Sequence, residues 1–234
     1  MNMMNRDSGL SYPQERGINL QSVMRRVYVW MGLGLLLTAA VAYITVTTPL
    51  INLASNPAYL LGALVAELAL VLGISFGFNR LSALAATGLF LVYAALNGFT
   101  LSLVLLAFTS TSVFSALVAT SALFGAMSIV GYTTKVDLSR LGTFLMMALI
   151  GLLIAMVVNL FISSGPLDLV ISVIGVLLFT ALTAYDTQRI GRMAAQMDAR
   201  GEAGAKLGVF GALKLYLDFV NMFLFILRLI GRRR

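Results

Sequence analysis

Histidine and cysteine are both absent from the 234 residues. No imidazole can act as a general base or metal ligand, and no thiol as a nucleophile, ligand or disulfide half. Chemistry is left to carboxylates, hydroxyls, amides, Lys and Arg. A bound metal would have to accept oxygen ligands, which restricts it to Ca²⁺, Mg²⁺ or a monovalent cation. Charge is scarce as well. Asp, Glu, Lys and Arg make up 11% of the chain while 60% is hydrophobic, and the mean hydropathy is +0.96. A soluble domain carries about 25% charged residues. The composition is therefore that of a polytopic membrane protein. No polar stretch is long enough to form a second domain.

The net charge of +7 would suggest nucleic acid in a soluble protein. Here the basic residues fall in the loops and tails, where membrane topology accounts for them, so nucleic-acid binding is not expected. No phosphate loop is present, and no nucleophile stands beside a base. The chain is not read as an enzyme. Two aspartates on neighbouring spans are a feature of intramembrane aspartyl proteases, but those need glycines for close approach to an extended substrate. Asp218 is preceded instead by Leu215, Tyr216 and Leu217.

Residues 1–24 are polar and read as a mobile cytoplasmic tail, with a short helix near its end. They precede a run long enough to span, which is an anchor and not a cleaved signal. Residues 25–234 form the membrane domain. Seven apolar segments approach the roughly 20 residues a spanning helix needs. They cover 27–48, 58–78, 82–107, 112–132, 141–163, 168–187 and 208–230. The connections are short except 188–207. The spans are helices, because an open sheet leaves its backbone unsatisfied in lipid. The fold class is all-α membrane protein with seven transmembrane helices. Gly73 and Gly77 form a GxxxG in the second span, read mainly as internal packing, with a homodimer face as the alternative. The Met and Phe stripes at Met146, Met147, Phe223 and Phe225 are packing or lipid-facing residues. No internal repeat of the inverted-transporter kind is visible.

Loop charge alternates. The connections after spans one, three and five carry only Asp168, whereas the others carry Arg80, then Lys135 and Arg140, then Arg189, Arg192, Arg200 and Lys206. The positive-inside rule places the N-terminus, with Arg25 and Arg26, in the cytoplasm. Arg232, Arg233 and Arg234 run against that rule if the last segment crosses fully. A re-entrant last segment is the alternative.

Against this apolar background, two aspartates stand out. Asp186 closes the sixth span in Ala-Tyr-Asp-Thr-Gln-Arg-Ile, and Asp218 lies within the seventh in Leu-Tyr-Leu-Asp-Phe-Val-Asn. An ionised side chain at membrane depth costs roughly 2.5–3.5 kcal/mol on insertion scales. Asp218 lies ten residues into its span, which is roughly 15 Å at 1.5 Å per residue. If the two carboxylates meet, they cannot both ionise cheaply and titrate as one unit with a shared proton. Such a pair senses pH without histidine. It attracts Ca²⁺ transiently but supplies too few oxygens alone, so Asn221, Asn97, Tyr216, backbone or water would complete the set. Arg80 or Lys214 could hold the ionised pair. Lys214 shares a helix face with Asp218, four residues on. The structural alternatives are Asp186 with Arg189, and Asp218 with Lys214. Glu67, midway along span two, is a further intramembrane carboxyl.

The two aspartate segments, 184–190 and 215–231, resemble the transmembrane Bax-inhibitor-motif family, in its bacterial branch. The resemblance extends to the polar head, the seven spans, Glu67 and the Lys-Val-Asp-Leu-Ser stretch at 135–139. It implies six helices wrapped around a central C-terminal helix, in a bacterial inner-membrane protein. It further implies a pH-sensitive passive calcium leak in which Asp186 and Asp218 form the sensing pair, with Ca²⁺ as transported ion and no cofactor. Leak homologues carry a latch arginine at the end of span two, where Arg80 is the nearest basic residue here. If Arg80 clasps the ionised pair, alkaline pH closes the route; if it does not reach, ionised carboxylates attract more cation. The resemblance also implies an alternative, an interaction protein that modulates a membrane-bound ATP-dependent protease through the N-terminal tail.

Overall fold

The computed structural model describes residues 13–77, 80–196 and 201–232, with side chains described from residue 20 on. Among these described residues, eight α-helices follow in order: α1 Pro13–Thr47, α2 Leu50–Ala54, α3 Pro57–Gly77, α4 Ala83–Ala107, α5 Ser110–Thr133, α6 Gly142–Ile162, α7 Gly165–Gln196 and α8 Gly201–Ile230. A 3₁₀ turn, Leu138–Leu141, leads into α6. All except the short α2 are long and apolar enough to cross a membrane.

Local chemistry sets the helix starts. The Ser82 hydroxyl accepts from Ala85 N at 3.2 Å ahead of α4, and Thr109 accepts from Ser112 N at 3.3 Å ahead of α5. These side chains satisfy amides that the first helical turn leaves unpaired. Pro57 opens α3, where a missing N–H costs nothing. Ser163 ends α6 in the left-handed region at φ 52°, and the Asn159 carboxamide oxygen accepts from Ser164 N at 3.1 Å to hold the turn.

Two expected boundaries move. The segment 188–207 is not mainly a loop, because α7 continues to Gln196 and α8 already begins at Gly201. Helical periodicity explains the extension: Ile190 and Ala194, four residues apart, are buried while Arg189 and Ala195, each next to one of them, are exposed. Likewise α1 begins at Pro13, so part of the expected tail is continuous with the first span. Val23, Met24 and Val27 are buried and join Ile190, Ala194 and Leu207 in the core cluster. Residues 1–12 of that tail lie outside the described residues.

Helix α8 is the most buried of the seven long helices, and α6 the least. Its chief neighbours are α7, α1, α5 and α4. Helix α3 packs on α4, and α6 on α7. The six-helix encirclement implied by the resemblance is therefore looser than expected, with α3 and α6 set outside the inner group. Their composition explains this, since most of their side chains are apolar and exposed to what would be lipid. The end of α8 docks on the α4–α5 connection, where Arg232 N donates to Ser112 Oγ at 2.9 Å and Thr109 N donates to Arg232 O at 3.1 Å. The last segment thus runs through as one helix and does not turn back.

Close helix approach falls elsewhere than the GxxxG. A Cβ at Gly73 would meet nothing within 4 Å, and one at Gly77 would meet only Leu81 of the following turn. The internal-packing reading of that motif is corrected: Gly73 faces outward. The tight crossings are at Gly98, against the Thr38 backbone of α1, and at Gly131, against the Ala184 backbone of α7.

Candidate functional site

Asp186 and Asp218 are both buried, at 5% and 4% exposure, on the facing helices α7 and α8. Two packing relations place them side by side. Phe179 stacks on Phe225 with centroids 5.9 Å apart, seven residues before Asp186 and seven after Asp218. Lys214 Nζ lies 3.7 Å from Asp186 Oδ2. Helices running in opposite directions with these two contacts bring both carboxyls to the same depth. Asp186 is the like charge acting on Asp218, and Lys214 is the opposite charge shared by both.

The pairing differs from each simple alternative. Lys214 bridges across to Asp186 and does not close on Asp218 of its own helix. Arg189 is exposed and stands behind Lys214 as the second cation acting on Asp186. Asp218 Oδ2 has no hydrogen-bond partner among the described residues, and neither do Ser128 Oγ and Thr187 Oγ1. The three oxygens come from α8, α5 and α7, helices that pack against one another. Buried oxygens without protein partners are normally satisfied by water or an ion.

Other expected participants lie apart. Arg80 sits exposed in the turn after α3 and pairs with neither aspartate. Asn221 donates from Nδ2 to Leu217 O at 2.8 Å on its own helix. Arg228 pairs at 3.8 Å with Asp168, a half-exposed contact at the far end of α8.

Glu67 belongs to a second polar group. Thr100 Oγ1 donates to Glu67 Oε1 at 2.8 Å, and Asn97 Nδ2 donates to Oε2 at 3.3 Å. Tyr216 OH donates to Asn97 Oδ1 at 3.0 Å and meets Thr38 Oγ1 at 2.7 Å. The group ties α3, α4 and α1 to α8, two residues before Asp218. Asn97 and Tyr216 therefore serve Glu67 and not the aspartates. Thr38 and Thr100 carried no signal strong enough to single them out, because a Thr in a membrane helix commonly bonds its own backbone.

Among the described residues, no group of three or more acidic side chains could hold a metal. The aspartate pair offers carboxylate oxygen, one orphaned acceptor and a competing ammonium. That donor set suits a hard cation in passage and is too small for a resident Ca²⁺, which takes roughly 6–8 oxygens.

Among the described residues, seven long apolar helices, two of which hold a buried carboxylate pair between them, define an all-α polytopic membrane protein with an intramembrane ionisable site. Residues 20–234 match the family model described as "Inhibitor of apoptosis-promoting Bax1". The chain is 46% identical over 218 residues to the inner membrane protein YbhL of Escherichia coli strain K12, covering 92% of this chain and 93% of that one. It is 42% identical over 219 residues to an uncharacterized membrane protein of Streptococcus pyogenes serotype M3, covering 92% and 94%. An uncharacterized protein of Borreliella burgdorferi is 40% identical over 213 residues, covering 90% and 92%. The chain belongs to the Bax inhibitor family.

Proposed function

We propose that this chain is a pH-sensitive passive leak for Ca²⁺ in the bacterial inner membrane, with its N-terminus cytoplasmic and Asp186 and Asp218 as gate and cation relay. The observation that carries the reading is a pair of buried carboxylates served by one partly exposed ammonium, with Asp218 Oδ2 left unpartnered. Lys214 balances one negative charge. The second carboxyl stays neutral only while it holds a proton, so the pair with its single cation behaves as one titrating unit. When that proton leaves, an uncompensated negative charge remains in a low-dielectric interior, and a cation entering beside it is strongly attracted. Arg80 does not reach the pair and offers no competing clasp. Flux should therefore rise as the pair deprotonates. Passage down a gradient needs no catalytic group and no cofactor.

The test is Ca²⁺ flux in proteoliposomes across about pH 5 to 8, for wild type and the D186N/D218N double variant. Wild type should conduct more at the alkaline end, and the double variant should lose that pH dependence while keeping its fold. An unchanged pH profile in the variant removes the pair from the gate. No flux from folded wild type removes the leak itself, and leaves the reading in which the chain acts by binding a membrane-bound ATP-dependent protease.

A further inference from the structure

A cavity of about 390 Å³ opens on the face that carries the basic loops. Its walls come from the last turns of α7 and the 3₁₀ turn before α6, with Tyr185, Arg189, Arg192 and Ser139 among them. Two guanidinium groups three residues apart share one concavity, and no carboxylate lines it.

The hydrogen bonds show which groups are committed. Gln188 is spent at both ends of its amide: Oε1 accepts from Leu138 N at 2.9 Å and Nε2 donates to Val136 O at 2.7 Å. Arg192 uses Nη1 on Asp137 and Ser139. Arg189 has no ion pair or hydrogen bond among the described residues, and neither does the Tyr185 hydroxyl. Tyr185 is placed by Gly142, where a Cβ would come within 2.5 Å of the phenolic oxygen. The cavity thus presents one uncommitted guanidinium fork, one free hydroxyl and the remaining N–H groups of Arg192. A multi-oxygen anion satisfies that donor set, and a guanidinium binds phosphate through two parallel bonds.

An apolar shoulder accompanies the donors. Met193 lines the cavity; Leu141, in the same 3₁₀ turn as Ser139, and Phe144, three residues further on, lie outside its lining and are exposed at 46% and 63%. A free phosphate has no use for that surface, whereas acyl chains do. Basic pockets between spanning helices are a known form of lipid headgroup site. We propose that this cavity binds the phosphodiester of an anionic phospholipid, with Arg189 as the main anchor, Tyr185 as second donor, and the acyl chains along Leu141 and Phe144. Binding does not depend on calcium passage. One consequence does rest on the proposed function: Arg189 also acts on Asp186 one turn away, so a bound phosphate offsets part of its charge and links lipid composition to the gate.

The experiment is native mass spectrometry of the full chain in detergent, titrated with phosphatidylglycerol, phosphatidylcholine or inorganic phosphate. Phosphatidylglycerol should be retained about tenfold over phosphatidylcholine. Arg189→Gln should cut that preference at least fivefold and Tyr185→Phe about twofold, while Arg140→Gln, on the same face but outside the cavity, leaves it unchanged. Arg189→Lys, which keeps the charge and loses the fork, should show an intermediate loss and covers the case in which the Gln variant does not fold. Equal losses from R140Q and R189Q would mean diffuse surface charge and overturn the site. Inorganic phosphate retained as well as the lipid, with the same loss in R189Q, would assign the cavity to free phosphate and overturn the lipid.

Discussion

Lys214 decides what Asp186 costs the protein. An ammonium 3.7 Å away offsets the carboxylate's loss of water. Removing one partner of a fully buried pair costs about 3–5 kcal/mol, because the other charge is left uncompensated. Lys214 is 28% exposed, so we expect Lys214→Met to cost less, on the order of 2 kcal/mol. Adding Asp186→Asn to Lys214→Met should restore most of the loss. Unfolding of the single and double variants in detergent measures the coupling; additive losses would mean that the bridge does not carry Asp186. Both aspartates were evident from the sequence, since an acid in an apolar run is conspicuous. Lys214 was legible as a candidate to hold the pair, but its choice of Asp186, across helices, was not, because four-residue spacing favours a partner on its own helix.

At the scale of the helix, glycine position matters more than glycine motif. Gly131 lets α5 approach the α7 backbone, and a Cβ there would lie 2.8 Å from Ala184 Cα. Backbone cannot swing aside as a side chain can. Gly131→Ala should therefore cost about 1–3 kcal/mol through overpacking. Gly73→Ala faces open space and should be neutral or slightly stabilising by helix propensity. Thermal unfolding of the two variants gives the comparison, and equal midpoints would contradict the crossing at Gly131. The sequence drew attention to Gly73 and Gly77 because a repeat is visible, whereas Gly131 is one small residue among many. Span number and approximate boundaries were legible because each span's hydrophobic length is set locally by bilayer thickness. The helical extension of α7 to Gln196 was not, since it depends on burying Ile190 and Ala194 against α1 and α8.

For the whole molecule, the pH response proposed for the aspartate pair is separable from a second titrating tie. On the basic face, Asp137 ties the α5–α6 connection to Arg192 of α7. Hydrogen bonds from the Ser139 side chain and backbone, then from Arg192, lower its pKa from 3.8 to about 2. A carboxyl depressed in the folded state contributes stability above its unfolded pKa and loses it only as pH falls through the folded one. That window runs from about 3.8 down to about 2. The tie is thus fully formed across about pH 5 to 8 and cannot be the source of a flux response there. Asp137→Asn should leave the shape of the flux–pH profile unchanged, and a profile shifted by that variant would place part of the sensor on the surface.

Composition and local hydrophobic length were enough to establish a membrane protein with seven helical spans, no histidine or cysteine chemistry, and two acids in costly surroundings. Those properties are local: each follows from a residue and the solvent its segment must meet. The partners of those acids are not local. Lys214 meeting Asp186, Tyr216 reaching Glu67 through Asn97, and Arg80 standing aside all depend on helix rotation and depth. These are set by close crossings such as Gly98 on Thr38 and Gly131 on Ala184. A rotation of one residue about a helix axis turns a side chain by about 100°. Which charge meets which is therefore decided only when all the helices have packed.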